Sequence, residues 1–386
     1  MGDSFTETTS QGWGSRIMES IKGILVGGAF FVASFPLLVW NEGRAVTTAR
    51  SLEEGAGAVV SVPAASVGAG NEGKLVHMSG QATTSQTLAD PEFAVSVPAL
   101  RLRRTVEVYQ WKEDEKSETK NKIGGGTETV KTYSYSKTWD DDLIDSGRFR
   151  HPDGHENPGS KPFNNQDWTA DPVKVGGFRL SSEQVSRLDK FEPLSLDAKA
   201  VLPAATAARV KATGSQFYVG KDPNVPAVGD ARVGFQVARP AEVSLVARQV
   251  GDTFEGYHAK AGGTVDLLEY GVMSADAMFK AAQDRNTLLT WILRVVGFFV
   301  MFLGLVLVFR PLRVLGDVLP IVGTLLGAGI ALFAGAVAAA LSLVTIAIAW
   351  LAYRPLFGVV LLVLAGAAVA GLVYMTKARK AVPARA

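Results

Sequence analysis

The chain contains no cysteine and only four histidines among 386 residues. Without cysteine there is no disulfide framework, no thiolate-held zinc or iron–sulfur cluster and no thiol nucleophile. The compartment stays open, because proteins of oxidising spaces can also lack cysteine. A basic excess is missing too. The 39 Lys and Arg face 37 Asp and Glu, and a net charge of +2 is far from a nucleic-acid binder's footprint. Ser96, Ser134 and Ser274 have no Gly-x-Ser-x-Gly context, and Gly124-Gly125-Gly126 is not followed by Lys-Ser/Thr. Neither a nucleophile elbow nor a phosphate loop is therefore signalled. What the chain has is segregation. Mean hydropathy is +0.17 although 20% of residues are charged, with a polar middle and apolar ends.

Residues 23–40, GILVGGAFFVASFPLLVW, carry no charge. Eighteen residues give about 27 Å of helix, roughly the hydrocarbon thickness. The run is longer than a signal-peptide h-region and ends in Pro36, Trp40 and polar residues, so it reads as an uncleaved span. Upstream, Trp13, Ile17, Met18 and Ile21 recur at helical spacing and predict an interfacial helix within a cytoplasmic segment 1–22. Near the C-terminus, 288–309 is apolar apart from Arg294, and 318–353 has no charge at all. The latter is read as one tilted span at 321–350. Residues 356–375 form a fourth, followed by a basic tail, 376–386. Basic flanks set orientation. The tail and Arg310 with Arg313 put both termini and a 310–320 loop in the cytoplasm, and 41–287 on the far side. Outside 41–287 there are ten basic residues against four acidic, which supports the same orientation.

The 41–287 domain reads as strands and turns. Residues 100–111 and 130–139 alternate apolar and polar members, and the Gly-rich stretch between them predicts a long hairpin with a flexible tip. Further alternating runs lie at 216–219, 231–238, 243–250, 254–260 and 264–270. Residues 181–191 predict an internal helix capped by Ser181, and 275–286 a helix running into the second span. The fold class is a multi-pass α-helical membrane protein of four spans with a large inserted β-rich extracytoplasmic domain, barrel or sandwich.

Several blocks resemble one family. FPLLVWNEGRAVTTARSLEEG (35–55), VEVYQW (106–111), YSYSKTW (133–139), GHENP (154–158), VGDARVGF (228–235), VARQVGD (246–252), LRVVGFFVMFLGL (293–305) and WLAYRPL (350–356) occur in the order found in the LUMA family, also called transmembrane protein 43. The resemblance covers most of the chain. It implies four spans, a large lumenal or periplasmic domain and a membrane-organising scaffold that self-associates. Animal members are described as partnering lamins and emerin. The Ala-, Gly- and Arg-rich composition suits a bacterial source, so those partners are not carried over.

The resemblance marks Asn41-Glu42-Gly43-Arg44 as the strongest block, and its place at the membrane exit reads as a structural corner. Glu42 has three candidate partners, Arg44, Arg294 and Arg354, all expected at that face. Arg294 is either a snorkelling anchor or a member of an intramembrane pair. Gly323, Gly327 and Gly335, with Gly23 and Gly27, recur at small-residue spacing suited to close helix packing, within a bundle or between subunits. His151-Pro152-Asp153-Gly154-His155-Glu156 is the one enzyme-like cluster. Pro152 and Gly154 break the helical geometry that would join the histidines, so a polar turn is the favoured reading over a metal site. The Asp140-Asp141-Asp142 run with Asp145 lacks EF-hand spacing and reads as solvated charge. No catalytic residue, metal or cofactor is assigned. The expected function is a non-enzymatic membrane scaffold or assembly factor; a channel or lipid-handling protein is the alternative, and a metal-dependent enzyme at the outer face is less favoured. Expected partners are membrane lipids, further copies of the chain and other membrane proteins, with no nucleic acid. The expected location is a bacterial inner membrane with a periplasmic domain, or the endoplasmic reticulum or nuclear envelope in a eukaryote.

Overall fold

The computed structural model describes residues 3–196 and 201–355. Three helices among them are long and apolar enough to cross a membrane. Helix α1 is Trp13–Ala58, α2 is Ala275–Gly316 and α3 is Pro320–Tyr353. The predicted fourth span and basic tail lie outside the described residues.

The predicted spans sit inside longer helices. The expected interfacial helix is the first part of α1, because no residue between Trp13 and the apolar run interrupts helical hydrogen bonding. Asn41-Glu42-Gly43-Arg44 is not a corner but mid-helix, and α1 continues four further turns to Ala58. Helix α2 starts at a Ser274 cap, whose hydroxyl accepts the Ala277 N–H at 3.2 Å, and runs unbroken into the span. The expected 310–320 loop shrinks to a turn at 317–319, because α2 carries Arg310 and Arg313 on to Gly316.

The domain holds two main antiparallel sheets around one apolar core. In the first, β1 (Ser4–Gln11), β4 (Thr127–Asp140), β3 (Arg101–Asn121) and β5 (Ala231–Ala238) lie side by side in that order. The second is built on β2 (Leu75–Thr83) and β6 (Ala241–Val250). The chain crosses between sheets at Arg239-Pro240. Inward residues of both sheets meet in one cluster, including Met78, Leu102, Val106, Val233, Phe235 and Leu245. The helix predicted at 181–191 is shorter, Ser182–Ser186, with a full capping box between Ser181 and Gln184.

A second apolar seam joins domain to membrane. Leu52 of α1, Leu75 of β2, Val246 of β6 and Met278 and Phe279 of α2 pack together. Each such side chain contributes about 1.5–3 kcal/mol on burial, so the helices are anchored in the domain rather than tethered to it. At Gly55 an added Cβ would stand 3.0 Å from Phe279, so glycine lets that ring approach.

The expected loop at 112–129 is mostly strand. Burial in β3 alternates from Leu102 to Gln110, then ends, while pairing with β4 continues to Asn121↔Thr127. Exposed cross-strand pairs hold this outer part: Lys131 lies 2.7 Å from Glu115, and the Thr119 and Thr129 hydroxyls are 3.0 Å apart. Strand β1 adds a third member, from Ser4↔Ser134 to Gln11↔Thr127. From Val108 to the tip this ribbon is roughly 44 Å long. Its end touches the far ends of the helices: Gly124 N–H donates to Val318 C=O at 3.1 Å, and Trp13 Nε1 to Val314 C=O at 2.9 Å. Segments that the sequence reading assigns to opposite membrane faces are thus in contact.

Because the chain is free of cysteine, Thr8→Cys with Val130→Cys is a clean probe of the β1–β4 register. This pair should form an intrachain disulfide in native membranes under mild oxidation, whereas Thr8→Cys with Ser134→Cys, four residues out of register, should not. Equal crosslinking of both pairs, or of neither, would contradict the ribbon.

Candidate functional site

The polar residues of the helices converge on one cluster where the bundle meets the domain. Asn286, Thr290 and Arg294 recur every four residues on α2, and so share a face that meets Asn41, Glu42 and Arg44 of α1. Glu42 is 1% exposed. Arg294 grips it with two bonds, Nε to Oε1 at 2.6 Å and Nη2 to Oε2 at 2.8 Å. Trp350 of α3 donates its indole N–H to Oε2 at 2.7 Å. The guanidinium also lies 4.7 Å from the Trp291 ring and 5.6 Å from the Trp350 ring. One carboxylate thereby ties three helices together.

A second layer flanks it. Arg44 donates to Thr290 Oγ1 at 3.0 Å, to Asn286 Oδ1 at 3.1 Å and to Asn41 Oδ1 at 3.3 Å. Asn41 and Asn286 each spend their amide N–H on the other helix, to Thr290 C=O and Ala45 C=O, both at 3.0 Å. Gly43 faces Tyr353, and an added Cβ would come within 2.8 Å of its ring. Arg50 completes the edge by donating to Tyr353 C=O at 3.0 Å.

Of the three sequence candidates for Glu42, the structure selects Arg294. Arg44 goes to the α2 amide and hydroxyl row, and Arg354 caps α3, its N–H donating to Trp350 C=O at 2.7 Å. Chemically, Glu42 is a tie. Its two oxygens take three protein donors, and the side chain is buried. A charged group in such a place is stable only while its partner is present.

The candidate glycines separate. A Cβ at Gly323 would collide with Asp317 Oδ1 in the α2–α3 turn, and one at Gly327 would stand 2.9 Å from Arg313 Nε, so both lie against the end of α2. Gly335 is open, with Phe302 at 3.9 Å its nearest neighbour. A close backbone approach of two helices lies elsewhere: a Cβ at Gly27 would lie 2.7 Å from Gly304 C=O, and one at Gly304 2.6 Å from Phe31 N. Sequence reasoning missed Gly304, Asn286, Thr290 and Trp350. The four-residue polar row entering an apolar run was the signal available for two of them.

The histidine motif becomes the aromatic packing beneath β1. His155 is buried, stacks on Tyr135 at 3.9 Å and has its Nδ1 3.0 Å from His151 C=O. His151 stacks on Phe5 at 4.3 Å. Glu156 accepts the Gly154 N–H at 3.0 Å, and backbone bonds hold its carboxyl below the usual range. Burial, then the bond to Glu113, pushes the Tyr135 phenol up to about 12. The Asp140, Asp141 and Asp142 carboxylates lie within 4.8 Å of one another at the ribbon base. Within this run Asp140 accepts the Asp142 N–H at 2.9 Å.

Residues 108–355 match the family described as Transmembrane protein 43. The chain is 40% identical to the human protein of that name over 391 residues, covering 98% of this chain and 95% of the relative. The rat protein is also 40% identical, over 92% of this chain and 90% of its own length. A Drosophila melanogaster homologue is 31% identical, over 89% and 92%. No solved structure matches the chain.

Removing one side of the buried pair should be costly and removing both less so. Glu42→Ala or Arg294→Ala should each lose about 3–5 kcal/mol through the orphaned charge. Glu42→Leu combined with Arg294→Met should recover much of that. Melting of detergent-solubilised protein, followed by monodisperse yield, checks the order; a double variant as poor as the sum of the singles would contradict it.

Proposed function

The chain belongs to the transmembrane protein 43 family, and we propose that it works as a non-enzymatic scaffold that fixes a large β domain relative to the membrane and assembles with other copies. The observation that carries this reading is mechanical continuity. Helices α1 and α2 leave the apolar region without a break and end inside the domain's own packing, at Leu52, Met278 and Phe279. The Glu42–Arg294–Trp350 tie locks them to each other and to α3 just below. Such a joint transmits position and torque, which suits holding partners in register on a membrane.

The basic helix ends face the cytoplasm in this reading and the domain body faces the opposite side. In a bacterium that side is the periplasm. In a eukaryotic cell it is the lumen of the endoplasmic reticulum or nuclear envelope. The partners are membrane lipids, other copies of the chain and other membrane proteins. Open small residues such as Gly335 supply the close approach that lipid-embedded helices need, since lipid tails are as apolar as the helices themselves.

One observation favours a second reading, a channel. The charged ribbon runs beside the apolar helices, and polar strands at hydrocarbon depth persist only against protein or in a water-filled space. An oligomer could line such a space with ribbons. Ion conductance across planar bilayers containing the purified protein separates the two.

Single-particle mass measurement in lipid nanodiscs should give two or more chains per particle. Gly335→Leu should shift that distribution toward one chain with folding intact. A wild-type protein that is monomeric across its working concentration range would defeat the assembly part of the proposal.

A further inference from the structure

Where the ribbon tip meets the ends of α2 and α3 there is a cavity of about 660 Å³ with two unlike walls. Its apolar wall comes from the spans, with Phe302 and Val306 of α2 and Ile330 of α3. Its polar wall carries Arg16, Arg310 and Arg313, with the hydroxyls of Thr119 and Thr129 opposite. Asp317 is the acid in the lining, and one of its oxygens, Oδ2, is taken while Oδ1 has no partner among the described residues. The side chain is fully buried and bonded to Arg16 at 2.5 Å. Arg16 is held a second time by the Gly125 carbonyl at the ribbon tip. Arg310 and Arg313 are different: among the described residues neither makes an ion pair, and both are exposed. Among the described residues the cavity therefore keeps two unpaired guanidinium groups beside an apolar wall.

The position fits the composition. Arg310 follows directly on the apolar run 288–309, at the depth where phospholipid headgroups sit. Guanidinium groups bind phosphate oxygens through paired, charge-assisted bonds, and basic pockets between membrane helices take anionic headgroups. Gly327 leaves room for Arg313 to lie along α3 here, since a Cβ there would stand 2.9 Å from Arg313 Nε and 3.1 Å from its Cδ. We infer that the cavity is a binding site for one anionic phospholipid per chain, its phosphate on Arg310 and Arg313 and its acyl chain against Phe302, Val306 and Ile330. The lipid is retained, not carried, and it joins the ribbon tip to the helix ends. This goes beyond the scaffold reading and does not depend on it.

Native mass spectrometry tests the site. Delipidated protein is offered equal amounts of phosphatidylglycerol and phosphatidylcholine with the same acyl chains. One phosphatidylglycerol per chain should be retained in preference. Arg310→Gln with Arg313→Gln should weaken that binding about 25-fold, from roughly fivefold per arginine. Arg310→Lys with Arg313→Lys should keep most of it, and Ala331→Phe, which fills the apolar wall without touching charge, should reduce it. If the double glutamine variant does not fold, the two single variants decide on the fivefold scale. Equal retention of both lipids, or unchanged affinity in the glutamine variants, would overturn the inference. So would full displacement by inorganic phosphate, which would mark a free-anion site instead.

Discussion

A buried carboxylate at the point where helices leave an apolar region must be neutralised, and this requirement organises the molecule. Glu42 is neutralised by Arg294 from a helix 252 positions away in the chain, with Trp350 filling the remaining direction. Meeting that demand sets the rotation of α1 against α2, because a two-bond grip tolerates little twist. It also sets the depth of α3. The layer of Asn41, Arg44, Asn286 and Thr290 repeats the match one turn further on. A charge pair of this kind is weak evidence for stability against an apolar alternative, but strong evidence for a single register.

From this joint the structure builds in both directions. Toward the domain, the helices merge into the packing around Leu75 and Phe279. Away from it, the glycine contact of Gly27 with Gly304 brings the two backbones together, where side chains would hold them apart. The bundle is thus specified by polar matching at one end and by absent side chains further along.

The ribbon is the element in tension with a membrane. Its strands satisfy one another's backbone groups, yet its side chains include Lys112, Glu113, Asp114, Glu115 and Lys116. Such a surface excludes lipid and demands water or protein beside it. The contacts at its tip, Arg16 with Asp317 and Gly124 with Val318, join three distant segments at the end of the bundle. Any account of how this chain sits in a bilayer has to provide for that polar column.

Much of this was legible from order along the chain. Apolar run length revealed the three described spans, because hydrocarbon thickness fixes how many residues a crossing needs. Alternation revealed the strands at 231–238 and 243–250, because a half-buried strand buries every second residue. The special character of Asn41 to Arg44 and of Arg294 was visible as polarity in apolar surroundings. Other features depended on partners far away. Exposed alternating charges in 112–121 look the same as loop until a neighbouring strand pairs with them, and β1 becomes a strand only against β4. The choice of Arg294 over Arg44 and Arg354 needed the relative rotation of three helices. His151 became a ring-stacking residue through Phe5 of β1, and His155 through Tyr135 on the neighbouring strand. Local periodicity and composition therefore determined the elements and their polarity, since both are properties of consecutive residues. The tertiary structure alone decided which charge meets which and where the ribbon ends, since those depend on distances that sequence separation does not encode.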